Sequence, residues 1–343
     1  MEEQKIKIER IDPATLTEFK PNYVKCIECG NITEFVCLSH SPAPFPVVKI
    51  DKDHYSMLDT GEVFEYDHSE NKSECYNSVR RTLARLRAII NANCVDENKM
   101  RWVTLTYAEN MTDSKKLHED FKNFRKRFKY WCNKNNVEYP EYIAVAEPQG
   151  RGAWHLHIVW LFSNTAPFIA NNEVLEPLWG HGFTSIKAVH GCDNIGAYFS
   201  AYLADMPLED FQKAEIKGSY PIKYVEMGDA EKKAQEGTEG KRKAFVKGAR
   251  LTLYPTGMNI YRCSRGIVPP VVTTISSDEY EKKKASAGTL TFSHACNVVA
   301  DSAVASDDSV LDNADNADNR NIKNTILHEY YNIKRRKIQG SKE

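Results

Sequence analysis

Two histidines one residue apart, His155-Leu156-His157, are the side chains in this sequence best spaced to act together. They lie in AWHLHIVWLF at 153–162, which reads as a strand. Strand side chains alternate between faces, so both imidazoles share one face, and Trp154, Leu156 and Ile158 point the other way, towards a core. Glu147 lies on a preceding strand-like run, across the Gly-containing turn PQGRG, and a hairpin there brings its carboxylate near the pair. Two imidazoles and a carboxylate with open positions suit a divalent metal that must still contact a substrate phosphate. Taken alone, the pair also describes a polar stripe on an exposed strand.

A second constellation follows it. Tyr198 and Tyr202 are four apart in DNIGAYFSAYLAD, which reads as a helix over about 193–205. That spacing stacks them on one helical face. A tyrosine oxygen can attack a phosphodiester, keep the 5′ phosphate as a covalent ester and leave a free 3′ hydroxyl. Packing of the helix on a sheet is the plainer reading, although Phe199 and Leu203 repeat the spacing and supply a core stripe of their own.

Near the start, Cys26-Ile-Glu-Cys29 and Cys37-Leu-Ser-His40 have the spacing of a short Cys/His knuckle. Three cysteines and a histidine are a normal structural zinc set. The alternative is a group of unrelated reduced thiols. The chain has nine cysteines, an odd count that argues against a disulfide framework.

The elements that must position these residues follow in an orderly run. A strand over 101–107 precedes a helix over about 113–134, opened by the capping candidates Thr112 and Asp113. Strands at 141–147 and 153–162, a short helix near 171–179, a strand near 183–189 and the tyrosine helix complete the order β-α-β-β-α-β-α. That is an α+β class, a split βαβ, ferredoxin-like arrangement with a central antiparallel sheet. An amphipathic helix over 76–93 precedes it, and 248–254 (GARLTLY) reads as one more strand.

The helix at 113–134 interleaves cations with Phe121, Phe124, Phe128 and Trp131. The aromatics form a buried stripe. Lys122, Arg125, Lys126, Arg127 and Lys129 are left as a face that tracks DNA phosphates or is simply solvated. Lys241, Arg242 and Lys243, with Lys247 and Arg250, form a second basic cluster suited to an origin-binding loop. Because the formal net charge is −1, DNA binding has to come from charge gathered on one face.

Three segments are expected: a Cys-rich one at 1–75, a central domain at 76–270 and a C-terminal extension at 271–343. Residues 1–22 read as an irregular lead-in. The extension contains an acidic, Asp/Asn/Ser-rich linker at about 300–320 and a basic, partly helical tail. No run of about 18 apolar residues and no signal-peptide core is present, so the chain reads as cytosolic, away from membranes.

Three of these runs, in this order, resemble the HUH endonucleases, specifically the rolling-circle replication initiators of bacterial plasmids and phages. VTLTY at 103–107 looks like their first motif, EPQGRGAWHLHIVW at 147–160 the second, and Tyr198-Phe199-Ser200-Ala201-Tyr202 the nucleophile motif in its two-tyrosine form. The resemblance covers about 100–205 and extends more weakly to about 270. It implies a Mg or Mn ion held by Glu147, His155 and His157, and site-specific nicking and rejoining of single-stranded or supercoiled origin DNA through a 5′ phosphotyrosine. A host helicase and polymerase are the implied partners. Many relatives carry lysines where this chain has Ala201 and Asp205, and Lys187 is a candidate replacement. A relaxase or transposase of the same superfamily is the first alternative, although relaxases usually place the tyrosine ahead of the metal motif. A zinc-containing DNA-binding regulator without catalysis is the second.

Overall fold

The computed structural model describes residues 6–42, 47–58, 60–66, 76–189, 194–213, 222–225, 243–255, 257–300 and 322–335. In chain order the strands are β1 (Ile6–Ile11), β2 (Tyr23–Cys29), β3 (Ile32–Leu38), β4 (Val47–Lys49), β5 (His54–Met57) and β6 (Val63–Glu65). Next come helix α1 (Tyr76–Asn93), β7 (Met100–Thr106), α2 (Ser114–Lys134), β8 (Glu141–Pro148) and β9 (Trp154–Leu161). The short α3 (Glu176–Trp179), β10 (Thr184–Lys187), the tyrosine helix α4 (Ile195–Ala204), β11 (Met206–Pro207) and α5 (Leu208–Lys213) follow. β12 (Ile222–Val225), β13 (Lys243–Val246), β14 (Tyr261–Cys263), β15 (Val271–Ile275), α6 (Ser277–Ser286), β16 (Thr289–Ala300) and β17 (Ile322–Asn332) complete the chain.

The chain forms two compact units, one of residues 1–67 with 270–343 and one of residues 68–269. In the first, six strands pair in the order β1-β16-β17-β3-β2-β15. One face of this sheet packs Val24, Cys26, Phe35, Cys37 and Tyr331 around Tyr280 of α6. The Tyr280 hydroxyl donates to buried Glu329 at 2.5 Å, and Lys284 pairs with the same carboxylate. This differs from the three segments expected. The N-terminal and C-terminal stretches share one sheet, part of the lead-in is a strand on β16, and HEYYN of the tail is β17 rather than helix. Its tyrosines and histidine alternate between faces, a strand pattern that the basic residues after it obscure. Residues 301–321, the core of the acidic linker, lie outside the described residues.

The second unit carries a five-stranded sheet, β10-β7-β9-β8-β14, with every neighbouring pair antiparallel. The run β7-α2-β8-β9-α3-β10 realises the split βαβ order expected. Asp113 caps α2, accepting from the amides of Lys115 and Lys116. On one side of the sheet, Phe128 stacks on Trp160 at 4.2 Å and Phe124 meets Trp179 of α3 edge-on. Burying each such ring is worth roughly 1.5–3 kcal/mol. Trp160 shares its face with Leu156 and Ile158, so α2 and α3 cover the side opposite the histidines. GARLTLY is not a strand: Ala249–Leu253 form a 3-10 turn with Ala249, Arg250 and Leu251 buried in succession, where a strand would alternate.

Helix α1 lies on the histidine side, where its Arg85 lowers the pKa of Tyr261 and Cys263 against the burial that raises them. The tyrosine helix packs on α1 at close range. Gly196 donates its amide to Asn91 Oδ1 (2.9 Å), and Asn91 Nδ2 donates to the cap residue Asn194 (3.0 Å). A Cβ at position 196 would stand 2.4 Å from the Arg87 carbonyl oxygen. Gly196→Ala is therefore expected to force α4 off α1, at a cost on the order of 1–3 kcal/mol, the range seen for overpacked cores. An unchanged urea midpoint for that variant would contradict the packing.

Candidate active site

The period of two on β9 decides the geometry. His155 and His157 share a face, and register sets Glu147 of β8 directly opposite His155, with Thr104 of β7 opposite His157. His157 Nε2 donates to Glu147 Oε2 at 2.5 Å, which leaves Nδ1 to accept from the Thr104 hydroxyl at 3.3 Å. Trp102 sets its ring edgewise to His157 at 5.9 Å. Thr104 and Trp102 thus fix the ring from the neighbouring strand. His155 Nε2 is buried and has no hydrogen-bond partner.

Burial, reinforced by the nearby His157, holds the His155 pKa down at about 4, so this imidazole is neutral near pH 7. Burial also opposes ionisation of Glu147, yet the His157 bond and the charges of Arg250 and the two imidazoles keep its pKa below the ordinary carboxylate value. An ionised carboxylate beside a neutral imidazole is the protonation state that metal ligands require. The unpartnered Nε2 of His155, on the face that carries Glu147 and His157, fits a divalent ion held by these three. Both Glu147 oxygens have protein partners, His157 and Arg250. Among the described residues, no group of three or more His, Cys, Asp or Glu is already spread around an empty centre.

Arg250, which the sequence grouped with a basic loop, is 5% exposed. Its Nη1 donates to Glu147 Oε1 and to the Pro148 carbonyl at 3.0 Å, and its Nε to the Asp205 carbonyl at 3.1 Å. Asp205 caps the C-terminal end of the tyrosine helix. One guanidinium therefore joins the carboxylate of the site to that helix. A lone arginine among Ala249, Leu251 and Leu253 was the available signal, because a charge inside an apolar run needs a buried acid. Tyr198 and Tyr202 both fall on α4, and their side chains lie outside the described residues.

The cations divide. Lys187 is exposed on the histidine side of the sheet, paired with Trp102. Lys122 and Lys126 are exposed on α2, across the sheet from the histidines. Arg125 bonds the Tyr142 hydroxyl, Arg127 bonds the carbonyls of Leu178 and Trp179, and Lys129 sits over the Tyr139 ring, so these three have structural partners. Lys241 and Arg242 lie outside the described residues, as does the side chain of Lys243 at the start of β13. A cleft of about 430 Å³ opens beside Glu147 and His155, with Arg151, Gln149 and Lys213 on its walls. Its shape depends on Gly150, where a Cβ would stand 2.7 Å from Asp210 Cβ of α5.

The knuckle residues are not brought together. Cys26 and Cys29 sit three apart on β2 and so face opposite sides of the sheet, and Cys37 lies across the pairing on β3. Burial pushes the Cys37 thiol up to about 12 and raises Cys26 as well, which disfavours thiolates. His40 bonds Ser39 at the surface, beyond the end of β3.

The low pKa of His155 makes a prediction. Unfolded, the imidazole titrates near 6.5, and folded near 4. Between these values the unfolded chain binds the extra proton, so stability falls as pH drops through that window, by at most about 1.4 kcal/mol per unit. Urea midpoints measured at pH 7 and pH 5 should therefore converge more closely for His155→Gln than for the wild type. Equal losses in both would rule out a neutral buried His155.

No curated protein and no solved structure matches the chain. Residues 100–207 run from the first strand of this sheet to the end of the tyrosine helix and contain Glu147, both histidines and both tyrosines. That span matches the family model of the ORF2-type replication-associated proteins, consistent with the resemblance to rolling-circle initiators.

Proposed function

We propose that this chain is a rolling-circle replication initiator that nicks and rejoins one DNA strand by tyrosine transesterification. The family match supports a role in replication and contact with DNA. The observation that carries the chemistry is convergence on one side of one sheet. The Glu147–His155–His157 cluster lies there, and Arg250 connects it to the cap of the helix that bears Tyr198 and Tyr202.

In this reading the three ligands hold Mg or Mn, and the ion when bound polarises the scissile phosphate. Arg151 and Lys213 grip neighbouring phosphates of the single strand across the cleft wall. A tyrosine oxygen of α4 attacks phosphorus, the bond from phosphorus to the 3′ oxygen breaks, and that oxygen takes up a proton. The 5′ phosphate stays on tyrosine, and the free 3′ hydroxyl is the end that a host polymerase extends behind a host helicase. The phosphotyrosine ester keeps the energy of the bond, so rejoining needs no nucleotide cofactor. A second tyrosine on the same helical face supplies the second cleavage that ends a round. Among the described residues, no helix is long and apolar enough to cross a membrane.

A single-stranded oligonucleotide carrying the nick site should become attached through its 5′ phosphate, in an adduct that survives denaturing electrophoresis and maps to Tyr198 or Tyr202. Phe at both positions should abolish it while each single variant keeps part, and chelation or Ala at both His155 and His157 should also abolish it. An adduct on another residue, or one formed by the double Phe variant, would refute the assignment. Arg151→Ala and Lys213→Ala should each lower the slope of log affinity against log salt by about 0.7, the value per phosphate contact for single strands. Anisotropy with a labelled strand measures this without any cleavage.

A further inference from the structure

We infer that Arg250 is a positioning residue that sets which oxygen of Glu147 faces the imidazoles and ties that choice to the end of the tyrosine helix. The inference rests on the reading of Glu147, His155 and His157 as metal ligands and goes beyond it, because Arg250 lies outside the matched span 100–207.

A glutamate carboxylate turns freely about its last torsion unless something holds one oxygen. Here Arg250 Nη1 takes Oε1, and Oε2 is left against His157 Nε2 at 2.5 Å. The guanidinium cannot follow a turning carboxylate. Nη1 is also bonded to the Pro148 carbonyl and Nε to the Asp205 carbonyl, and the side chain is 5% exposed. The backbone around it is fixed from both ends. Gly248 donates its amide to Asp205 Oδ1 at 3.1 Å, and the Tyr254 hydroxyl donates to the Ala146 carbonyl at 2.9 Å. Groups that hold a ligand from behind in this way usually govern metal affinity almost as strongly as the ligand itself. The rigid fork matters as well as the charge. A lysine offers one compact ammonium, which can pair with Glu147 or with the Asp205 carbonyl but has no planar geometry to hold both.

The test compares wild type, Arg250→Lys and Arg250→Met, each as the full chain. Mn²⁺ affinity is read from the electron paramagnetic resonance of the free ion, and kcat and KM from adduct formation on a single-stranded oligonucleotide. Arg250→Met should bind Mn²⁺ about 10–100-fold more weakly. Arg250→Lys should restore the thermal midpoint towards wild type, yet keep a reduced kcat with KM little changed, because the charge returns without the fork. Should Arg250→Met fail to fold, its combination with Glu147→Gln removes both buried charges, and Arg250→Lys still reports affinity. Wild-type Mn²⁺ affinity and kcat in folded Arg250→Lys would overturn the inference and leave the metal reading standing. Absence of Mn²⁺ binding by the wild type would overturn the metal reading and this inference together.

Discussion

A carboxylate that is 9% exposed must be compensated where it sits, and the compensation of Glu147 organises the second unit. Removing an ionised group from water costs several kcal/mol even after relaxation, unless both oxygens are paired. Glu147 finds one partner by strand register and the other by chain return. Register across β8 and β9 supplies His157, and a segment about a hundred residues later supplies Arg250. The second partner draws the 3-10 turn over the open end of β8, and with it the cap of α4. The position of the tyrosine helix is thus coupled to the charge balance of one carboxylate.

The other constraint is the two-sidedness of β9. Its odd-numbered positions carry His155 and His157, and its even-numbered ones carry Trp154, Leu156, Ile158 and Trp160. The apolar face is sealed by the aromatic ridge of α2, so the strand under the histidines is pinned from behind by the stack of Phe128 on Trp160. A rigid backing lets the polar face stay polar, because the cost of leaving the His155 Nε2 without a partner is met by packing elsewhere. The same arrangement changes the meaning of the cations on α2. They lie across the sheet from the histidines, so they do not border the cleft. Arg151 on the β8–β9 turn and Lys213 on α5 do.

Local patterns were legible in the sequence and long-range partners were not. The histidine face, the Glu147 register, the buried phenylalanines and the Asp113 cap all follow from periods of two and 3.6 read over a few residues. GARLTLY failed because its alternation imitates a strand, while the charge of Arg250 answers to a carboxylate far away in the chain. The cysteines failed for a related reason. CxxC at knuckle spacing also fits a strand in which each thiol is buried on its own side, and burial of both Cys26 and Cys29 shows which pattern won. The shared sheet of the first unit was hidden by distance. β2 and β3 wait for β15 and β17, more than two hundred residues on, and nothing local marks a pairing of that span.

That separation bears on where the site ends. The family match stops at residue 207, just past the tyrosine helix. A site built from that span alone would hold Glu147 between His157 and nothing, with Oε1 buried and unpaired. Such a carboxylate protonates, turns or opens the strand end to water, and each outcome loosens a metal ligand. Arg250 and Tyr254 remove that weakness from outside the span, one by pairing the acid and the other by holding the Ala146 carbonyl of the same strand. The turn at 249–253 is therefore part of the site in physical terms, although it supplies neither ligand nor nucleophile.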